Sequence, residues 1–251
     1  MKTFKQYLNE EIPSIPMPIH FKHVTGKEIM NEDITLDPHE WIDREENGHL
    51  LADHKGTDKT KSLHITRKLV PTVSKDQHAA IKTYTAGKSE FINKDIMRSH
   101  EDKKAPHSFA YTKEVSHHLD SAIKDSPIKH DVHTFSGVGF DPEKHMDSKG
   151  RMHSPAFISS SHNKVVTMRF ADKKPIASDN GQKVHNIIHF HLKKDDPAIH
   201  VGLHSEFDDE HETLIKRGVT LQRHKVEEFS HPFGKRPNSI IRVHHMSIVK
   251  K

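Results

Sequence analysis

Two carboxylates, Glu210 and Glu212, stand two residues apart in the stretch Phe207-Asp208-Asp209-Glu210-His211-Glu212-Thr213-Leu214-Ile215-Lys216-Arg217-Gly218. In a β-strand, side chains at i and i+2 share a face, so the two glutamates converge and His211 points away. Like charges held together raise each other's pKa, and such a pair suits acid/base chemistry or the stabilisation of a developing cation. Glu-x-Glu is also common on solvated surfaces, so the meaning of the pair depends on what positions it. Histidine offers a second kind of chemistry. His189-Phe190-His191 puts two imidazoles on one strand face, and with no His-Glu-x-x-His and no further ligand at metal spacing this reads as a solvated sheet face. His117-His118 and His244-His245 read as surface positions. The acidic run from Asp33 to Glu46 lacks the oxygen spacing and central glycine of a calcium loop.

The chain has 251 residues, 32% hydrophobic and 29% charged, which suits one large domain, or one domain with an N-terminal extension, with a buried core. No cysteine is present, which excludes disulfides and thiolate metal sites. No apolar run approaches the length needed to cross a bilayer. The net charge of +4 comes from Lys and Arg scattered among Asp and Glu, compatible with weak association with nucleic acid or an acidic partner. The 26 histidines would add positive charge as pH falls through about 6.5.

Helical spacing comes first along the chain. Phe4, Tyr7, Leu8 and Ile12 predict a short amphipathic helix ended by Pro13, Pro16 and Pro18. Ser74-Lys75-Asp76-Gln77 fits a capping box, with Ala80, Ile81 and Tyr84 as the apolar stripe behind it. Gly87 ends that helix and Ser89 starts another, with Phe91, Ile92 and Ile96 inward. A third helix carries Val115, Leu119, Ala122 and Ile123 and stops at Pro127. The period then changes to alternation. Strands are expected at 131–138, 156–160, 184–193, 198–201, 212–215, 219–223 and 239–249, with one helix from Ser161 to about Ala171. Helices first and strands afterwards predict an α+β domain.

Three strand segments occur in order: Val132-His133-Thr134-Phe135-Ser136-Gly137-Val138, then Phe157-Ile158-Ser159-Ser160-Ser161, then Glu210-His211-Glu212. With Ile81-Lys82-Thr83-Tyr84-Thr85 and Phe91-Ile92-Asn93 upstream, the chain over roughly 75–250 resembles the mono-ADP-ribosyltransferases of the Arg-Ser-Glu class, which include the clostridial binary toxins and phage transferases. The resemblance implies an α+β ADP-ribosyltransferase fold, with two packed β-sheets forming an NAD cleft and flanking N-terminal helices. It implies a domain at 73–251 behind an extension at 11–72. NAD would be the substrate, with no metal. Glu212 matches the catalytic glutamate, Glu210 the glutamate that handles an arginine acceptor, and Ser159 the first serine of the Ser-Thr-Ser strand. Ser160, Ser161, Gly137, Phe170 and Arg98 fall where the cofactor would lie, and Arg151 and Arg169 are further cations of the region. His204 to Asp209 would be the acceptor-recognition loop. Ser161 is also an N-cap candidate for the helix behind it. Ser136 stands where the class has its phosphate-binding arginine, which replaces a charge-assisted contact by one neutral hydroxyl, a loss of about 1.5–3 kcal/mol.

The opening Met1-Lys2-Thr3-Phe4 with Leu8-Asn9-Glu10 resembles the capsid-targeting peptide of internal head proteins of contractile-tailed phages. That resemblance implies a propeptide at 1–10 that engages the head scaffold and is cut by the prohead protease after Glu10. It implies localisation inside the phage head, then in the host cytoplasm, with a host protein as arginine acceptor and no membrane. Two other expectations are a catalytically degenerate head protein that binds DNA or a host factor, and an NAD glycohydrolase.

Overall fold

The computed structural model describes residues 71–102, 110–129, 131–162, 164–178, 181–206, 212–230 and 239–250, without the side chains of Ala110, Lys164, Val165, Arg169, Leu203 and Ser230. The expectations placed on the N-terminal peptide, the extension up to residue 70, and Glu210 lie outside the described residues.

The first helix, α1 (Lys75–Thr83), opens on the expected capping box. Ser74 Oγ accepts from the Gln77 amide at 3.2 Å, and Gln77 Oε1 accepts from the Ser74 amide at 2.8 Å. A π-turn over Tyr84–Lys88 follows, where Gly87 takes φ +80°, a left-handed conformation suited to glycine. Helices α2 (Ser89–Glu101) and α3 (Ala110–Asp125) complete a helical layer. Gln77 ties α1 to α3 through Ser121 at 3.1 Å and Asp125 at 2.9 Å. The inward stripes of the three helices pack with Phe157, Ile199 and Leu214 into one apolar cluster.

The strands are β1 (Val132–Val138), β2 (Arg151–Ser154), β3 (Ile158–Ser161), β4 (Ile176–Ala177), β5 (Lys183–Leu192), β6 (Ala198–His200), β7 (Glu212–Ile215), β8 (Val219–Ser230) and β9 (Ser239–Ile248), with helix α4 (Lys164–Lys173) after β3. Their order is β2-β8-β9-β5-β1-β3-β7-β6, with β4 beside β5. The β5–β9 pairing is parallel and the others are antiparallel. The two expected sheets are joined into one path by a single pair, Phe135 opposite Ser161.

Two strands, β2 and β4, were not expected, being short and weakly alternating. The strand expected at 219–223 runs on to Ser230. Its second half, Lys225-Val226-Glu227-Glu228, is polar and carries no apolar alternation. Pairing with β9 past a bulge at Arg223/Lys225 holds it, with Arg242 on Glu228 at 2.7 Å. Tertiary pairing overrides local pattern here.

The ladders align one residue per strand in a row. Glu212 faces Ser161, Ser161 faces Phe135, Phe135 faces His189 and His189 faces His245. Directly opposed residues share a face, so all five side chains lie on one side of the sheet. Helix α4 covers the neighbouring part of that side, packing Met168 and Ala171 against Phe135, Ile187, Ile241 and Val243.

Gly137 sets how closely α4 approaches. A Cβ there would overlap the Thr167 carbonyl oxygen and the Ala171 amide nitrogen, both backbone atoms with no freedom to swing away. Gly137→Ala should therefore lower the unfolding free energy by about 1–3 kcal/mol, read as a lower urea midpoint at an unchanged slope.

Candidate active site

Glu212 is the first residue of β7 and is 6% exposed. Ser159 lies diagonally across the ladder on β3, on the same face, and is hydrogen-bonded to the Glu212 carboxylate. Burial pushes the Glu212 carboxyl up to about 7, and the Ser159 bond offsets part of that rise. Ser159 is also hydrogen-bonded to the hydroxyl of Tyr84, a side chain with no exposed surface. Burial pushes the Tyr84 phenol well above its ordinary value; the Glu212 charge adds to the rise, while the bonds to Ser159 and Asn93 oppose it.

Asn93 completes the chain of contacts. Its Nδ2 donates to Tyr84 Oη at 2.9 Å and to the Phe157 carbonyl at 3.0 Å. Its Oδ1 is buried and has no protein partner among the described residues. The Tyr84 ring meets Phe157 edge-on at 5.8 Å. Glu212, Ser159, Tyr84 and Asn93 thus form one polar line from the sheet into the helical layer, buried at Glu212 and Tyr84 and half-buried at Ser159 and Asn93. A carboxylate at its end and a spare amide oxygen beside it suit a hydroxyl-rich ligand.

The other expected site residues are spread more widely. Ser161, the last residue of β3, is buried and stands directly across from Glu212. It belongs to the strand, and α4 begins only at Lys164, because the Phe135–Ser161 and Ser161–Glu212 pairs extend the ladder. Ser160 faces the other way and donates to the Thr213 carbonyl at 2.8 Å. Ser136 lies opposite Ile188, on the face of the cluster formed by Ile188, Phe190 and Met246, while Phe135 is the β1 residue in the Glu212 row. Gly137 lies beneath the α4 backbone. Phe170 is 40% exposed on α4, with Lys173 Nζ 5.1 Å from its ring centre. Arg98, in the last turn of α2, pairs with the buried Asp95 carboxylate at 3.0 Å. Arg151 Nε donates to Gln222 at 3.2 Å.

Tyr84 and Asn93 are site residues that sequence reading did not single out. Tyr84 reads as one more residue of an apolar stripe. Only its place in the helical segments quoted above, together with Asn93, distinguishes it. The solvated reading of the strand histidines is corrected: His189, His244 and His245 are buried. β5 and β9 are interior strands, and the rings bond to one another and to Asn186, with His244 Nε2 3.1 Å from Asn186 Oδ1.

The family of ADP-ribosyltransferase exoenzymes matches this chain over residues 56–243. Among solved structures, the fold is similar to that of BECa, an ADP-ribosylating toxin of a binary enterotoxin of C. perfringens, seen with NADH. The TM-score is 0.57 at 16% identity, over 77% of this chain and 49% of BECa, so the chain spans about half of that toxin. Plx2a, an ADP-ribosyltransferase toxin from Paenibacillus larvae, gives a TM-score of 0.56 at 15% identity over 77% of this chain and 97% of Plx2a. Vis from Vibrio splendidus, in complex with agmatine, gives 0.55 at 13% identity over 78% of this chain and 87% of Vis. No curated protein matches. These likenesses give the observed α+β architecture its name, the ADP-ribosyltransferase fold.

The state of Glu212 makes stability depend on pH. Its folded pKa is raised from 4.5 to about 7, so the folded state keeps a proton that the unfolded chain releases between those values. Wild-type stability should fall as pH rises through that window. Glu212→Gln, neutral throughout, should match wild type near pH 4 and exceed it by up to about 3 kcal/mol at pH 8, measured by denaturant unfolding at both pH values.

Proposed function

The chain belongs to the ADP-ribosyltransferase exoenzyme family, and on that premise we propose that it transfers ADP-ribose from NAD to an arginine side chain of a host protein. The observation that carries this reading is the buried Glu212 carboxylate held by Ser159, which is itself bonded to Tyr84.

NAD, as substrate, supplies a nicotinamide–ribose bond whose cleavage leaves positive charge on the ribose. A carboxylate already fixed in a poorly solvated position stabilises such charge without reorganising. Ser159 fixes the Glu212 rotamer without neutralising it. Asn93 offers an unused buried acceptor beside the same line. The assignment of Glu210 to the acceptor rests on its match to the first glutamate of the family's Glu-x-Glu motif. Arginine stays protonated near neutral pH, and a neighbouring carboxylate aids its attack. The likeness to Vis, seen with the guanidinium compound agmatine, supports an arginine-type acceptor.

The packaging reading is part of the proposal. Residues 1–10 direct the chain into a phage head and are removed after Glu10, and the enzyme enters the host with the DNA to modify transcription or translation proteins. Two observations favour a second reading, a degenerate head protein that binds DNA or a host factor: Ser136 lies on the face away from Glu212, and Arg98 is engaged by Asp95.

Labelled NAD incubated with the protein and host lysate should give arginine-linked label, reduced by about 10²–10³-fold in Glu212→Ala. Nicotinamide release without labelled protein would point to the glycohydrolase. Absence of NAD binding together with salt-sensitive DNA binding would point to the degenerate reading. Intact Met1 in mature particles would remove the packaging reading. The transfer rate should rise with pH as Glu212 ionises, with a midpoint near 7. Ser159→Ala should move that midpoint upward, because the Ser159 bond is what lowers the Glu212 pKa.

A further inference from the structure

Four histidines meet on three adjacent strands, on the same side of the sheet as Glu212. His133 of β1 lies opposite His191 of β5, and His189 of β5 lies opposite His245 of β9. His133 Nδ1 is 2.8 Å from His189 Nε2, His189 Nδ1 is 3.2 Å from His245 Nδ1, and His191 Nε2 is 3.1 Å from the same His245 Nδ1. The ligand atoms of His133, His189 and His191 all lie within 4.8 Å of one another.

Protons alone satisfy this arrangement poorly. His245 Nε2 is 2.5 Å from Glu227 Oε2, so its one neutral-state hydrogen goes to that carboxylate, and Nδ1 keeps a lone pair. One in-plane lone pair accepts one good hydrogen bond, yet two ring nitrogens face it. With neutral rings, His189 and His191 can only share that one acceptor, and a full bond for each would need an extra proton on one of the rings. Burial disfavours that extra charge: His189 is 2% and His245 3% exposed. Neutral imidazoles with converging lone pairs are metal ligands. Nitrogens around a tetrahedral ion at 2.0–2.1 Å stand about 3.3 Å apart; His133 and His189 meet at 2.8 Å and His191 and His245 at 3.1 Å, and His189 would give the ion one of its two nitrogens. A histidine that gives its far nitrogen to a carboxylate is the usual way a metal-bound ring is oriented, as Glu227 does for His245.

We propose that His133, His189 and His191 form a binding site for a divalent transition metal of the zinc type, with His245, oriented by Glu227, as the fourth nitrogen donor. All-imidazole ligation suits zinc, cobalt, nickel or copper over magnesium or calcium. The ion ties β1, β5 and β9 together at the end of the row opposite Glu212. Its role is structural, and the site stands independently of the transfer reaction.

The test uses the untagged full-length chain, which has many other histidines, so the variants carry the discrimination. Cobalt(II) is titrated into wild type, His133→Gln, His191→Gln, and His117→Gln as a surface control. Wild type and the control should bind one equivalent tightly, with the intense visible absorption of tetrahedral cobalt, and zinc should displace it and raise the thermal midpoint. His133→Gln and His191→Gln change half-buried positions and should keep the metal-free midpoint, while losing both the absorption and the zinc-induced rise. Absence of the tetrahedral spectrum in wild type, or its persistence in both variants, would overturn the site.

Discussion

A carboxylate withdrawn from water, with a hydroxyl as its hydrogen-bonding neighbour, governs how the domain is assembled. Glu212 opens the short strand β7, and the polar groups linked to it come from other elements: Ser159 from β3, bonded in turn to Tyr84 from the turn after α1, which takes a bond from Asn93 of α2. The cost of burying the charge is met by packing elsewhere. The helical cluster of Ile81, Ile92, Leu119 and Ile123 closes over Leu214, two residues along the same strand face. Pushing a carboxylate toward neutral pH also brings its charge state within reach of physiological conditions. Stability and charge are therefore coupled at one side chain, as is common where a fold gives up some stability for a reactive centre.

Arg217 shows how the rest of the chain supports that centre. Its guanidinium reaches Asp120 of α3 through Nε at 2.9 Å and a terminal nitrogen at 2.8 Å, and lies 5.6 Å from the Phe157 ring centre. Phe157 in turn lends its carbonyl to Asn93 and its ring edge to Tyr84. The turn after β7 is thereby fastened to the helices that cover the start of β7. The glutamate is held from both ends of a four-residue strand.

Local signals carried much of this architecture. The capping box at Ser74, the left-handed Gly87, the bounds of β7 and the long alternating β5 are each decided by residues within a few positions, so they were legible. Features decided by partners distant in the chain were not. The polar half of β8 is a strand only because β9 lies beside it. The histidines of β5 read as solvated because alternation identifies a face but not what lies against it, and His133 and His245 arrive from strands more than fifty residues away in sequence. For the site, Glu212 and Ser159 were found from motif order, and the structure brings them into contact. Tyr84 and Asn93 needed the fold, because a buried tyrosine at helical spacing looks the same whether or not its hydroxyl has a task.

The single pair between Phe135 and Ser161 has one more consequence. Beyond it, β1 and β3 diverge while each stays fully paired on its other side, so the sheet contains an edge in its own interior. Side chains meet the backbone of β1 there: Thr167 Oγ1 donates to the Phe135 carbonyl at 3.3 Å, and His162 Nδ1 lies 3.1 Å from the His133 carbonyl. At this seam side chains from the β3–α4 segment take the part that a neighbouring strand plays elsewhere, so a substitution at Thr167 or His162 reaches the main chain of β1 directly, whereas within the ladders main-chain pairing is indifferent to side-chain identity.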